Sequence, residues 1–196
     1  MAGRIILAAL FSAIAMFFWG FVYWSVSGVT YQLMEPLPES AQADIAAVLR
    51  RDKVPSGMYV YPMPPKTPDE EVAKDFEELH LAGPRFQIAH RLEGGEVMAP
   101  RTMILGFVHM FVVALVAAFL TAMALPVLDS FGKRFVFVAL VALLGVLWSN
   151  PGDVIWWHHS PVYCLGQMVY GGVGGLVMAA FIAGIVRPQP SIANAQ

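Results

Sequence analysis

The sequence predicts an integral membrane protein, mainly α, with four transmembrane helices and a small α+β extracytoplasmic cap inserted between helices 1 and 2. Three observations predict it. The 196 residues are 58% hydrophobic and only 13% charged, against roughly 25% charged in an ordinary soluble domain. Four apolar runs approach the roughly 20 residues that a helix needs to cross a hydrocarbon core of about 30 Å. The charge is concentrated between the first two runs: residues 28–101 hold eight basic and twelve acidic residues, a net of −4, so this segment is suited to water.

The first span is Ile5 to Val26, just behind Arg4. No small-x-small cleavage site follows it directly, and it runs on into "FFWGFVYW", so residues 1–27 read as an uncleaved signal anchor. Met103 to Leu125 forms the second span and stops at Pro126. Phe135 to Trp148 is the third and is short; it needs flanking residues or a locally thinned bilayer to cross. Asn150-Pro151-Gly152-Asp153 reads as the turn that leaves it. Val162 to Val186 is the fourth, closed by Arg187-Pro188. Residues 102–187 therefore carry three spans with short loops, and residues 188–196 form a tail.

Lys and Arg in short segments favour the cytoplasmic side, whereas long translocated segments are largely exempt. Arg4, Lys133, Arg134 and Arg187 all fall inside if the N-terminus is inside. The expected location is thus a bacterial-type inner membrane, with both termini cytoplasmic and residues 28–101 and 149–161 extracytoplasmic.

Within the cap, "SAQADIAAVLRR" predicts a helix capped by Ser40, with Ile45, Val48 and Leu49 as its apolar stripe. "MYVY" is β-prone and lies between Gly57 and Pro62. Thr67-Pro68-Asp69-Glu70 matches a capping box with proline in the first helical position. It opens a helix with Val72, Phe76 and Leu79 on one face, and Gly83-Pro84 stops it. Phe86, Ile88 and His90 alternate with polar or small residues, and Gly94-Gly95 predicts a hairpin turn into Val97-Met98. The apolar area of these pieces is modest, so the cap is expected to lean on helix ends or on a partner.

In the fourth span Gly171, Gly175, Ala179 and Ala183 recur every four residues. Small residues at this spacing let helix backbones approach closely, either within this chain's bundle or at an interface with another subunit. Ala8, Ser12 and Ala15 of the first span make a softer stripe that could be its mate. The four spans as bounded above contain no Asp, Glu, Lys or Arg, which argues against an ion-coupled carrier.

The richest chemistry lies in "WWHHSPVYC". His158, His159, Asp153 and Cys164 could meet His109, which lies about two turns into the second span, to form a metal site. Such ligands suit zinc or copper, and a histidine pair suits haem. Against this, adjacent histidines on a helix point about 100° apart, and the chain has no His-x-x-x-His, Cys-x-x-Cys or His-Glu-x-x-His spacing. Trp156 and Trp157, with Trp19, Trp24 and Tyr163, fit an aromatic belt at the outer membrane surface. The belt is the preferred reading, with no cofactor expected and haem or copper/zinc as the alternative.

No nucleophile elbow, paired membrane-edge carboxylates or phosphate loop is present, and no basic face invites nucleic acid. The expected partners are membrane lipids and other membrane subunits or a second copy. The expected function is a non-catalytic accessory or scaffold subunit of a larger membrane complex, possible settings being respiratory or other energy-converting assemblies. The alternatives are an extracytoplasmic-side metal or haem protein using His109 and His158/His159, and an oligomeric channel or lipid-handling protein.

Overall fold

The computed structural model of this chain describes residues 1–67 and 69–188. Four helices are long and apolar enough to cross a membrane: Ala2–Val26, Pro100–Met123, Phe131–Trp157 and Pro161–Ile185. The chain divides into two units, residues 1–35 with those from Met98 onward, and Pro36–Val97. The second unit is narrower than the 28–101 segment, because Gly28–Glu35 and Met98–Arg101 belong with the long helices.

In the first unit, α1 (Ala2–Phe21) passes into a π-helical turn, Val22–Val26, and a short α2 (Thr30–Leu33) follows. A π turn widens the helix and shifts the phase of the side chains beyond it. Here Tyr23 is buried, and its hydroxyl donates to the Gly166 carbonyl at 2.8 Å. Three further long helices complete the unit: α5 (Pro100–Met123), α6 (Phe131–Trp157) and α7 (Pro161–Ile185). The elements between Pro36 and Val97 belong to the second unit. Neighbouring long helices run antiparallel. They pack in the spatial order α5, α1, α7, α6, and α5 scarcely touches α6.

The core of this unit is built from small residues. Ala8 and Ala9 of α1, Ala114 and Ala118 of α5, and Ala179 of α7 are fully buried, with Met16, Val138, Met178 and Ile182 filling between them. In lipid the hydrophobic effect does not drive helices together, so close packing of small side chains supplies much of the attraction.

At one end of the unit the basic residues act as cross-links. The buried Arg134 guanidinium donates to the carbonyls of Ala183, Leu128 and Asp129, each at 3.0 Å. Arg4 Nη1 donates to the Arg187 carbonyl at 2.8 Å. Lys133 pairs with Asp129 at 3.0 Å, and this charge pair, chiefly through its hydrogen bond, holds the Asp129 carboxyl below the usual aspartate range. Arg4, Lys133, Arg134 and Arg187 therefore lie at the same end of the bundle.

The third span recruits flanking residues, one of its two expected routes across, and one expectation for it is corrected. It is a 27-residue helix, long enough to cross without thinning the bilayer, and it contains Lys133, Arg134 and Asp153. Asn150-Pro151-Gly152-Asp153 is not a turn: α6 continues through Pro151 and ends at Trp157. An apolar environment leaves helical continuation as the way to satisfy most of the backbone, and one missing proline N–H is tolerated there. The helix stops at His158, whose left-handed backbone, φ 55° and ψ 31°, lets its N–H and that of His159 return to the Asp153 carbonyl.

The second unit comprises α3 (Glu39–Arg51), β1 (Gly57–Tyr61), α4 (Glu70–Ala82) and β2 (Phe86–His90). β1 and β2 pair antiparallel, Gly57 opposite His90 and Tyr61 opposite Phe86, and the Tyr61 and Phe86 rings stack with centroids 5.3 Å apart. The hairpin expected around Gly94-Gly95 does not form, because β2 finds its partner on the far side of α4. Ser56 secures the exit from the sheet: its hydroxyl accepts from Leu92 N at 3.0 Å and donates to Glu93 Oε2 at 2.8 Å.

Both helix starts differ from expectation. α3 begins behind Pro38 with no side-chain cap, so Ser40 lies inside the first turn. α4 is capped by Asp69, whose Oδ1 accepts from Glu71 N at 2.9 Å and Val72 N at 3.2 Å. A carboxylate at this position gains from the helix dipole, and it displaces Thr67 from the role. The expected placement of Pro68 lies outside the described residues, as does most of the 188–196 tail. α4 ends as predicted at Gly83, at φ 65°, a left-handed conformation that glycine adopts without steric cost.

Candidate functional site

The wide separation of α5 from α6 opens a lateral cleft in the helical unit, with a volume of about 650 Å³. His109, Val113 and Val116 line it from α5, and Val141, Val146 and Asn150 from α6. α7 contributes Gln167, Tyr170 and the glycine stretch, and α1 contributes Met16 and Trp19.

The floor depends on glycine. A Cβ on Gly175 would lie 2.5 Å from the Ala142 Cβ, and one on Gly171 would lie 2.9 Å from Val146 Cγ2. Gly171 and Gly175 thus seat α7 against α6 of the same chain, while Gly174 faces Trp19 of α1 at 3.6 Å. The glycines of this stripe meet Ala142 and Val146 of α6 rather than the expected Ala8, Ser12 and Ala15 of α1. Ala179 and Ala183 continue the stripe into the buried core. α7 therefore has two neighbours, which requires small residues on more than one face.

Trp19 and Trp24 lie among the helices. Trp19 Nε1 donates to the Tyr170 carbonyl at 3.0 Å, and the rings of Trp19, Tyr23, Trp24 and Tyr170 form a continuous cluster with centroids 4.9–5.6 Å apart. Trp156 and Trp157 have outward-facing rings, 76% and 54% exposed. Tyr163 is half-buried in the first turn of α7, where its hydroxyl accepts from Gln167 Nε2 at 2.8 Å.

The residues considered as metal ligands lie on α5, at the end of α6 and at the start of α7. His109 is in the cleft wall, Asp153 is half-buried near the end of α6, His158 and His159 follow that helix, and Cys164 is buried at the start of α7. Among the described residues no three His, Cys, Asp or Glu side chains gather into a metal-holding group.

What the cleft does assemble is a set of polar groups: His109, Asn150 and Gln167, on three different helices. Asn150 Nδ2 donates to Val146 O at 3.1 Å and to Ser149 Oγ at 3.2 Å, occupying the amide's donors. His109 makes no hydrogen bond or ion pair among the described residues. No Asp, Glu, Lys or Arg contributes to the lining. Such a set can hold a neutral hydrogen-bonding group.

No family model, curated protein or solved structure matches this chain.

Asn150 and Gln167 were not singled out from the sequence. A signal existed: Gln167 is the only amide side chain of the fourth span, and Tyr170 follows it by three residues on the same helix face. Asn150 was hidden by the turn character of Asn-Pro-Gly-Asp.

Proposed function

We propose that this chain is a non-catalytic accessory subunit of a larger membrane complex, and that Pro36–Val97 is the segment that docks on the partner. The observation that carries this reading is the lack of a core in that unit. Neither α3 nor α4 has a buried residue, and Val48, Leu79 and Phe86 each remain 44% exposed. A two-stranded sheet with two amphipathic helices buries too little apolar surface to be stable alone. A second protein surface meeting the Val48 and Leu79 faces would supply what is missing. The basic residues at one end of the bundle favour a bacterial-type inner membrane with both termini cytoplasmic, which carries Pro36–Val97 to the extracytoplasmic side.

The test is gentle extraction from the native membrane, a native gel, and mass-spectrometric identification of each band. A constant larger partner is expected with the wild-type chain, and Leu79→Asp, an exposed position whose change leaves the chain's own packing intact, should release it. A chain that migrates alone, or a partner retained in Leu79→Asp together with Val48→Asp, overturns the reading.

A further inference from the structure

We propose that the cleft between α5 and α6 is a binding site for an uncharged amphiphile, a molecule with a hydrogen-bonding head and an apolar chain, admitted sideways from the bilayer. The inference is independent of the partner reading, since every lining residue belongs to the helical unit.

The first argument is the order of chemistry along the cleft. Asn150 and Gln167 share one level, nearer the end of the bundle opposite Arg4 and Arg134, and His109 lies deeper along α5. This follows from the antiparallel register, in which Val146 meets Gly171 and Ala142 meets Gly175, while the Phe17 and Phe107 rings meet at 5.9 Å. Toward the basic end the lining becomes Val116, Val141 and Met178. From His109 to Val116 is about 10 Å along the helix, and from Gln167 to Met178 about 16 Å. A head at the first level would leave its chain against aliphatic walls over that distance.

The second argument is charge. In a low-dielectric setting an ionic head needs a counter-charge, and an unpaired one is costly. No Asp, Glu, Lys or Arg lines the cleft, so it offers no fixed counter-charge, and phosphate, carboxylate and ammonium heads are disfavoured. An imidazole has one donor and one acceptor nitrogen when neutral, and the Asn150 amide, with its donors turned to its own helix, has a carbonyl oxygen to offer. The matching head both donates and accepts, as a hydroxyl-bearing glyceride or a quinol does. At this depth His109 would otherwise leave its polar capacity unmet in hydrocarbon.

The third argument is size. The cleft volume of about 650 Å³ lies within the range of small-molecule sites, roughly 300–1,000 Å³. A spanning helix about 10–12 Å across would need roughly 500 Å³ for each turn, so the cleft holds little more than one turn of a partner helix. It suits a single chain with a small head.

The test uses the full chain in phosphatidylcholine nanodiscs with a diazirine-bearing monoacylglycerol as probe, mapping labelled peptides by mass spectrometry. Labelling is expected to saturate and to concentrate on the cleft faces of α5, α6 and α7. Excess monoolein or decylubiquinol should compete about tenfold better than lysophosphatidylglycerol, as expected for a charged head that finds no partner. Competition by monoolein alone identifies a glyceride, and by decylubiquinol alone a quinol; either supports the site. Val113→Trp, which fills the aliphatic section, should abolish saturable labelling. His109→Leu, which leaves the packing of α5 in place, should raise the half-saturating concentration about fivefold. Labelling spread evenly over lipid-facing residues overturns the proposal, as does labelling that persists in both variants or is competed equally by the anionic lipid.

Discussion

At the scale of single residues, the side chains that organise the helical unit are those whose donors cross between helices. Arg134 shows this best. Read as sequence it marks the cytoplasmic side; in the fold it also satisfies carbonyls at the end of α7 and in the link between α5 and α6. Arg134→Ala would leave those acceptors unpaired, and about 3 kcal/mol of stability is expected to be lost. Arg134→Lys keeps the charge but cannot reproduce the planar fork, so it should fall between the two. Thermal unfolding in detergent micelles measures this order, and a lysine variant equal to wild type would show that charge alone matters. Ser12 is the opposite case, a fully buried hydroxyl with no hydrogen-bond partner among the described residues. His109 and Asn150 show what single positions reveal in sequence: their chemistry is readable there, whereas their lining of one cleft depends on which helices become neighbours, and no local pattern encodes that.

At the scale of elements, apolar length made the first, second and fourth spans legible, since hydrocarbon leaves a run of that length few alternatives to a helix. The same principle, applied past Asn150, would have extended the third. Where water competes, in β2 and the helix starts, local signals were weaker guides. Thr67 and Asp69 are both good caps, and only context selects one. The α6–α7 contact is the element pair most exposed to test. Gly175→Ala places a methyl against the Ala142 methyl, and overpacking of this kind costs about 1–3 kcal/mol. Ala142→Gly in the same chain should restore much of the loss by making room, as a double-mutant cycle measures. Additive losses would mean that the two positions do not bear on each other.

At the scale of the whole molecule, the two units answer to different physics and should fail under different conditions. In Pro36–Val97 the Ser56 hydroxyl is the main cause holding the Glu93 carboxyl below the usual glutamate range, and Arg51 does the same for Asp52. A carboxyl depressed in the folded state contributes stability above its unfolded pKa, and that contribution is lost as pH falls through the folded value. Pro36–Val97 should therefore loosen as pH drops below roughly 4.3, and Ser56→Ala should shrink the pH-dependent part. Amide exchange of the β1 and β2 peptides in the full chain, corrected for its intrinsic pH dependence, measures it. A flat response in both proteins would remove Glu93 from the account.

The spatial order α5, α1, α7, α6 also has a consequence in time. Helix α1 is made first, yet one of its two neighbours, α7, begins at Pro161, some 140 residues after α1 ends at Phe21. At roughly 5–20 residues per second of synthesis, that interval is about 7–28 s. For that long the face of α1 that will carry Ser12, Trp19 and Tyr23 into the interior must be sheltered by lipid, by the insertion machinery or by a transient companion. A ribosome that stalls before Pro161 leaves a chain whose earliest helix still lacks its last neighbour.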